Sequence, residues 1–290
     1  DGGVGGREAN SALSAITPGE FVATVFFYEN ARLLARMAQL LKKPAEAAEY
    51  TELADYIRSA INRKYLNGKT GQYALGSQAS NLLALHFDIA PASMRAKVLK
   101  NLVDDIKAHD YHLTTGNIAT KYLFDVLSDE GLADVAYKIA TKTDYPSWGY
   151  MLAMGATTIW ERWELGTTSA MNSHNHPMYG TISTWFYKHL AGITPLAPAF
   201  EQIRIAPCLP EGLSGVCASM DTPRGTAASA WERTPQGLRM EVTLPFGTQG
   251  EIVLPEGFRL CPGSRYEGAQ EGRTLHLCSG KYVLELEKIR

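Results

Sequence analysis

Apolar residues recur at helical spacing through the first half of the chain and at alternate positions through its last third. In TPGEFVATVFFYENARLLARMAQLLKK, Phe21, Val25, Tyr28, Leu33, Ala35 and Leu40 fall at roughly helical intervals. Thr17, with Pro18 next and Glu20 three residues on, predicts a capping box with proline in the first turn. Lys42-Lys43-Pro44 ends this helix and opens a second, PAEAAEYTELADYIRSAINRKYL, which closes at Asn67-Gly68. So short a connection predicts an antiparallel helical hairpin. The arrangement repeats: SQASNLLALHFDI is followed by PASMRAKVLKNLVDDIKAH, and TKYLFDVLSDEG by LADVAYKIATKT. The pairs share architecture rather than sequence. Further on, MYGTISTWFYKHLAGI predicts one more helix, ending at Gly192.

At Pro195 the pattern changes period. QIRIAP, TAASAWER, LRMEVTLP, GEIVLP, TLHLCSG and YVLELEKI alternate apolar and polar residues between Pro- and Gly-containing turns, which predicts antiparallel strands. The expected fold is mainly α with a C-terminal all-β domain. Residues 1–195 form the helical domain and residues 196–290 a small antiparallel β-sandwich.

Composition narrows the function more than the fold. Of 290 residues, 45% are hydrophobic and 20% charged, as in an ordinary globular protein. A net charge of −2 leaves no basic excess for nucleic acid or an anionic membrane surface. No apolar run approaches a membrane span. The opening DGGVGGREAN lacks the apolar core of a signal peptide. It also lacks an initiating Met, which leaves room for sequence upstream and leaves the compartment open. Cys208, Cys217, Cys261 and Cys278 fit no zinc spacing; two disulfides and four buried thiols suit them equally.

One stretch stands apart. Residues 144–192 hold four of the five tryptophans and three of the seven histidines, with both carboxylates of WERWE. Such groups are costly to bury without partners, so a density this high suggests a cleft. Trp160 and Trp163 lie at i and i+3 and would share a face if the turn is helical, with Glu161 and Glu164 on another. Two readings of Glu161 stand side by side: a capping-box partner of Thr158, or a functional carboxylate. The tryptophans likewise read as core packing or as the walls of a site. His174-Asn175-His176 lacks a third ligand at metal spacing, and no metal or cofactor is expected. Imidazole, amide and carboxylate beside indole faces suit the hydrogen bonding of a pyranose ring better. His86, His109, His112 and His189 read as ordinary helix or loop residues.

YPSWGYMLAMGATTIWERWE, followed by NSHNHPMYG and WFYKHLAGI, resembles the second half of the catalytic domain of glycoside hydrolase family 78, the bacterial α-L-rhamnosidases. GSQASNLLALHF, HLTTGNIATKYLFDVLSDEG, IRIAP and TPRG extend the likeness over most of the chain. The resemblance implies an (α/α)6 barrel with a C-terminal β-sandwich. It implies inverting hydrolysis of terminal α-L-rhamnose, with Glu161 as the general base. His176 and Asn175 would bind the sugar, and Trp148, Trp160 and Trp163 would help wall the site. Glu164 stands where the family often has Asp and would support the site from behind. A rhamnose-containing oligosaccharide or glycoside would be the partner.

The departures from the family are as specific. Its general acid lies in an Asp- and Arg-rich motif that nothing in residues 1–143 matches, and Trp148 is the first tryptophan, where the family usually has an earlier one. Seven helices and one short turn fall short of the twelve of a closed barrel, so an incomplete barrel is expected, with uncovered helix faces favouring a homo-oligomer. A carbohydrate-binding or structural remnant without the acid is the main alternative. A trehalase-like hydrolase is a further one, against which the WERW–NHPMYG pairing argues.

Overall fold

The computed structural model describes residues 16–166, 173–262, 264 and 266–289. The chain divides into two compact units, 1–180 and 181–290.

The first unit is built from three helical hairpins: α1 (Gly19–Leu40) with α2 (Pro44–Tyr65), α3 (Gln78–His86) with α4 (Ala92–Ala108), and α5 (Asn117–Asp129) with α6 (Ala133–Ala140). Their leading helices pack in a row, α1 on α3 and α3 on α5. Flanked on both sides, α3 is buried all the way from Gln78 to Leu85, and its polar Gln78, Ser80 and Asn81 are each hydrogen-bonded to backbone. The buried stripe of α1 is Phe21, Val25, Tyr28, Ala31, Ala35 and Ala38. Leu33 and Leu40, expected on that face, are exposed instead, because they stand two positions from Ala31, Ala35 and Ala38, a rotation of about 200° around the helix. Phe27, Leu34 and Met37 on α1, with Leu41 at its C-terminal cap, form a second, exposed apolar stripe.

The capping box expected at Thr17 does not form. Pro18 is the N-cap of α1 and offers no side-chain bond. Thr17 is buried and shares a 2.8 Å hydrogen bond with the Ser77 hydroxyl, while Glu20 pairs with Lys64. Ser77 in turn caps α3 through the Ser80 N–H. A further short helix, α7 (Trp148–Ala153), capped by Ser147, was not foreseen by periodicity; six residues are too few to show one.

The second unit begins with α8 (Ile182–Trp185), which continues as a π turn to Leu190. The chain leaves it at Gly192, whose φ of +79° and position against Ala206 (a Cβ would meet its carbonyl carbon at 2.4 Å) admit only glycine. Two five-stranded sheets follow. One has the order β1 (Ile193–Pro195), β2 (Gln202–Ile205), β6 (Gln249–Val253), β9 (Thr274–Leu277), β8 (Gly268–Glu271). The other runs β3 (Gly215–Thr222), β4 (Gly225–Thr234), β5 (Gly237–Leu244), β10 (Gly280–Lys288), β7 (Phe258–Leu260). Every pairing is antiparallel except β2 with β6, where Ile205 lies opposite Ile252 in parallel register. Alternate residues of both sheets, among them Ile203, Ile252, Leu275, Trp231, Met240 and Leu284, meet in one core. No disulfide joins any of Cys208, Cys217, Cys261 and Cys278; Cys217 and Cys278 are exposed, so four buried thiols do not describe them.

Candidate active site

The site is assembled from loops held by buried polar contacts. Gln78, fully buried on α3, donates to the His112 carbonyl and accepts from the Thr114 N–H, fixing the loop between α4 and α5. That loop presents the Thr115 carbonyl, which accepts from Trp163 Nε1 at 2.9 Å. Trp163 stacks on Tyr179, with ring centroids 3.9 Å apart, and meets Trp148 edge-on at 4.9 Å. Trp148 donates its indole N–H to the Tyr179 carbonyl. Three rings therefore interlock, with both indole donors satisfied, which removes the usual cost of burying tryptophan. His112 also bonds Asp144, and this bond, more than any other cause, holds the Asp144 carboxyl below its ordinary range.

Residues 158–166 form no helix, so the spacing of Trp160 and Trp163 does not define a helical face. Trp160, Trp163 and Trp148 are all buried, Trp163 completely. With Tyr179, Trp163 and Trp148 thus form a buried aromatic floor. Glu161, between two inward tryptophans, is half-buried.

The Thr158–Glu161 capping box is likewise replaced. Thr158 donates its hydroxyl to the His174 carbonyl, and Glu161 accepts from the Ser173 N–H at Oε2, 2.8 Å away. The Glu161 N–H donates to the Ser173 carbonyl, and the His176 N–H to the Ile159 carbonyl. Segments 158–161 and 173–176 are joined by these bonds, and the Trp160 ring packs against that of His174 at 5.2 Å. His176 is half-buried and Asn175 exposed; Met178 donates its N–H to His176 Nδ1 at 3.4 Å. Glu161 and His176 are therefore brought to neighbouring positions on paired backbone. Glu164 pairs with Arg162. Burial first, and then the nearby Glu164 carboxylate, push the Tyr179 and Tyr145 hydroxyls upward.

Sequence reasoning missed Thr115, Ser173 and Tyr179. Thr115 acts here through its carbonyl, and Ser173 meets Glu161 through its main-chain N–H and carbonyl, atoms that leave no mark on residue type, whereas Tyr179 stood in the NHPMYG motif without a role. Of the other histidines, His86 packs on the Tyr122 ring and His109 bonds the end of its own helix. Two open cavities of about 450 and 550 Å³ lie in the second unit, beside Arg239 on β5 and beside Tyr187 and Phe200, and neither includes Glu161 or His176. No group of three or more metal-ligating side chains occurs among the described residues.

The model of the bacterial alpha-L-rhamnosidase 6 hairpin glycosidase domain matches residues 8–190, and that of the bacterial alpha-L-rhamnosidase C-terminal domain matches residues 192–266. An alpha-L-rhamnosidase of Formosa agariphila is 37% identical over 246 residues, covering 82% of this chain and 26% of the relative. One of Streptomyces avermitilis is 34% identical over 249 residues, covering 84% and 24% respectively. Among solved structures, the alpha-L-rhamnosidase of Dictyoglumus thermophilum matches with a TM-score of 0.87 and 36% identity over 96% of this chain and 33% of its own. The Streptomyces avermitilis enzyme complexed with L-rhamnose matches with a TM-score of 0.84 and 31% identity over 96% and 28%. The chain spans about a quarter of the length of the first two relatives.

Proposed function

The chain belongs to the bacterial α-L-rhamnosidase six-hairpin glycosidase family, and from that premise we propose that it carries the base-bearing part of an inverting α-L-rhamnosidase. Its substrate is terminal α-L-rhamnose on a glycoside or polysaccharide. Glu161 takes a proton from water as the water oxygen attacks the anomeric carbon. His176 and Asn175 hydrogen-bond the sugar beside it, with Trp160 at the edge of the site and Trp148 and Trp163 underneath. The observation that carries this reading is the bonding of Glu161: a half-buried carboxylate beside a rigid aromatic floor, with one oxygen held by the Ser173 N–H.

Inversion also needs an acid on the other side of the ring, about 6.5–9.5 Å from the base. Glu164 is engaged by Arg162 and lies three residues from Glu161, a poor position from which to reach across a sugar. Since residues 1–143 hold no match to the family's acid motif, the second reading is that this chain alone binds rhamnose and turns it over slowly. The leaving group separates the two. An aryl rhamnoside, which needs little protonation, should be hydrolysed faster by the purified chain than a rhamnosyl disaccharide, releasing the β anomer first. Glu161→Gln should lower the aryl rate about 10²–10⁴-fold. Full rate in that variant, or release of the α anomer, would overturn the assignment.

We also propose that isolated chains self-associate along the exposed stripe of Phe27, Leu34, Met37 and Leu41, because an uncovered apolar stripe on a helix favours burial. Light scattering that finds a monomer at every accessible concentration would contradict this.

A further inference from the structure

We propose that Thr158 is a positioning residue for Glu161, acting by pinning a bulge in the 173–176 segment; this rests on the reading of Glu161 as the base. A glutamate side chain has three rotatable bonds, and a base is useful only when one oxygen is aimed at the water it activates. Here the Ser173 N–H commits Oε2 to the main chain, so the other oxygen is the one left to take the water's proton.

What sets the place of that N–H is the pairing of the two segments. Between the Glu161–Ser173 and Ile159–His176 bonds, two residue steps on one side face three on the other. An extra residue of this kind bends the strand and re-aims its side chains, and unpinned it could shift along the pairing. The bulge falls at His174 and Asn175. The Thr158 hydroxyl takes the His174 carbonyl at that point, and the Ser173 hydroxyl accepts from the Asn175 N–H at 3.0 Å. A one-residue slip would carry the Ser173 N–H away from Glu161 and turn His176 to the other side. Thr158 touches neither sugar nor water in this scheme; it works through residues 173–176.

The test is Thr158→Val in the full chain, which keeps the side-chain shape and removes the hydroxyl, with Thr158→Ser as the rescue. On an aryl rhamnoside, Thr158→Val should lower kcat roughly 10- to 100-fold with little change in KM, and Thr158→Ser should restore it. Azide should restore rate to Thr158→Val without any base. Its nitrogen bonds to the anomeric carbon as the bond to the aryl oxygen breaks, and the phenolate leaves with the electron pair. Unchanged kcat, no rescue by serine, or a loss that azide does not repair would each overturn the proposal. Amide hydrogen exchange reads the clamp whatever the turnover: Thr158→Val should speed exchange at Ser173 and His176, and unchanged exchange would sink it. Full activity in Glu161→Gln would instead condemn the base assignment, leaving the exchange result to judge the clamp.

Discussion

Trp163 and Trp231 meet the same requirement in different settings. Each is buried, and each gives its indole N–H to a backbone carbonyl, Thr115 for Trp163 and Leu190 for Trp231. Their surroundings differ in where charge is kept. In the β-sandwich, carboxylates stand on the outer face opposite arginines: Arg239 on β5 reaches Glu232, Glu241 and Glu285, and Arg204 meets Glu251. These pairs are solvated and interchangeable, and they impose no single geometry. Beside Trp163 the carboxylate of Glu161 sits at the edge of the buried aromatic floor and is held by a main-chain N–H. A mobile charge partner can follow a carboxylate as it moves, whereas a backbone donor fixed by pairing cannot. Structural charge and aimed charge are distinguished by this, more than by burial.

The comparison would break first at the two tryptophans. Trp163→Ala and Trp231→Ala should each cost about 3–5 kcal/mol, read by denaturant unfolding, because each removes a large buried ring and leaves a carbonyl without its donor. A cost below about 1 kcal/mol at Trp163 would mean the aromatic floor is not the support described.

Gln78 gives a sharper test. Gln78→Leu keeps the volume but strands the His112 carbonyl and the Thr114 N–H, at about 1–3 kcal/mol for each group left unpaired. It should also speed amide exchange in the loop to Thr115. A stable variant with that loop unchanged would detach α3 from the site.

Alkaline pH tests the packing of the first unit. Burial raises the Tyr73 and Tyr179 hydroxyls above their unfolded value of 10.0. A folded value above the unfolded one means stability is fully present below pH 10 and falls as pH rises beyond it, since only the unfolded chain then ionises. Tyr179→Phe, which keeps the ring on Trp163, should flatten this decline, as should Tyr73→Phe at some cost from the lost bond to Asn62. Stability curves above pH 10 that superimpose on the parent's would refute it.

The smallest effect belongs to the exposed charges. Arg239→Ala should leave the denaturant unfolding midpoint almost unchanged, and the difference should shrink further at high salt. A larger loss would show that the outer face of the sandwich aims its charges too.

The sequence by itself determined the order of the architecture: helical hairpins first, then strands. Period is a local property, and burying one face of a helix or sheet demands it wherever the element lies. It also drew attention to Glu161 and His176, through the resemblance of WERW and NHPMYG to motifs of a known family, while residue pattern alone left Glu161 open between a helix cap and a functional carboxylate. Tertiary structure decided the rest. Thr17 and Thr158 both had capping-box spacing, yet both spend their hydroxyls on distant partners, Ser77 and the His174 carbonyl. The parallel pairing of β2 with β6 joins strands far apart in the chain, and alternation is the same in either direction. Trp163 could have been a wall or a floor until the Thr115 carbonyl, 48 residues away, took its N–H. A carbonyl belongs to every residue alike, so only the fold could say which one would be there.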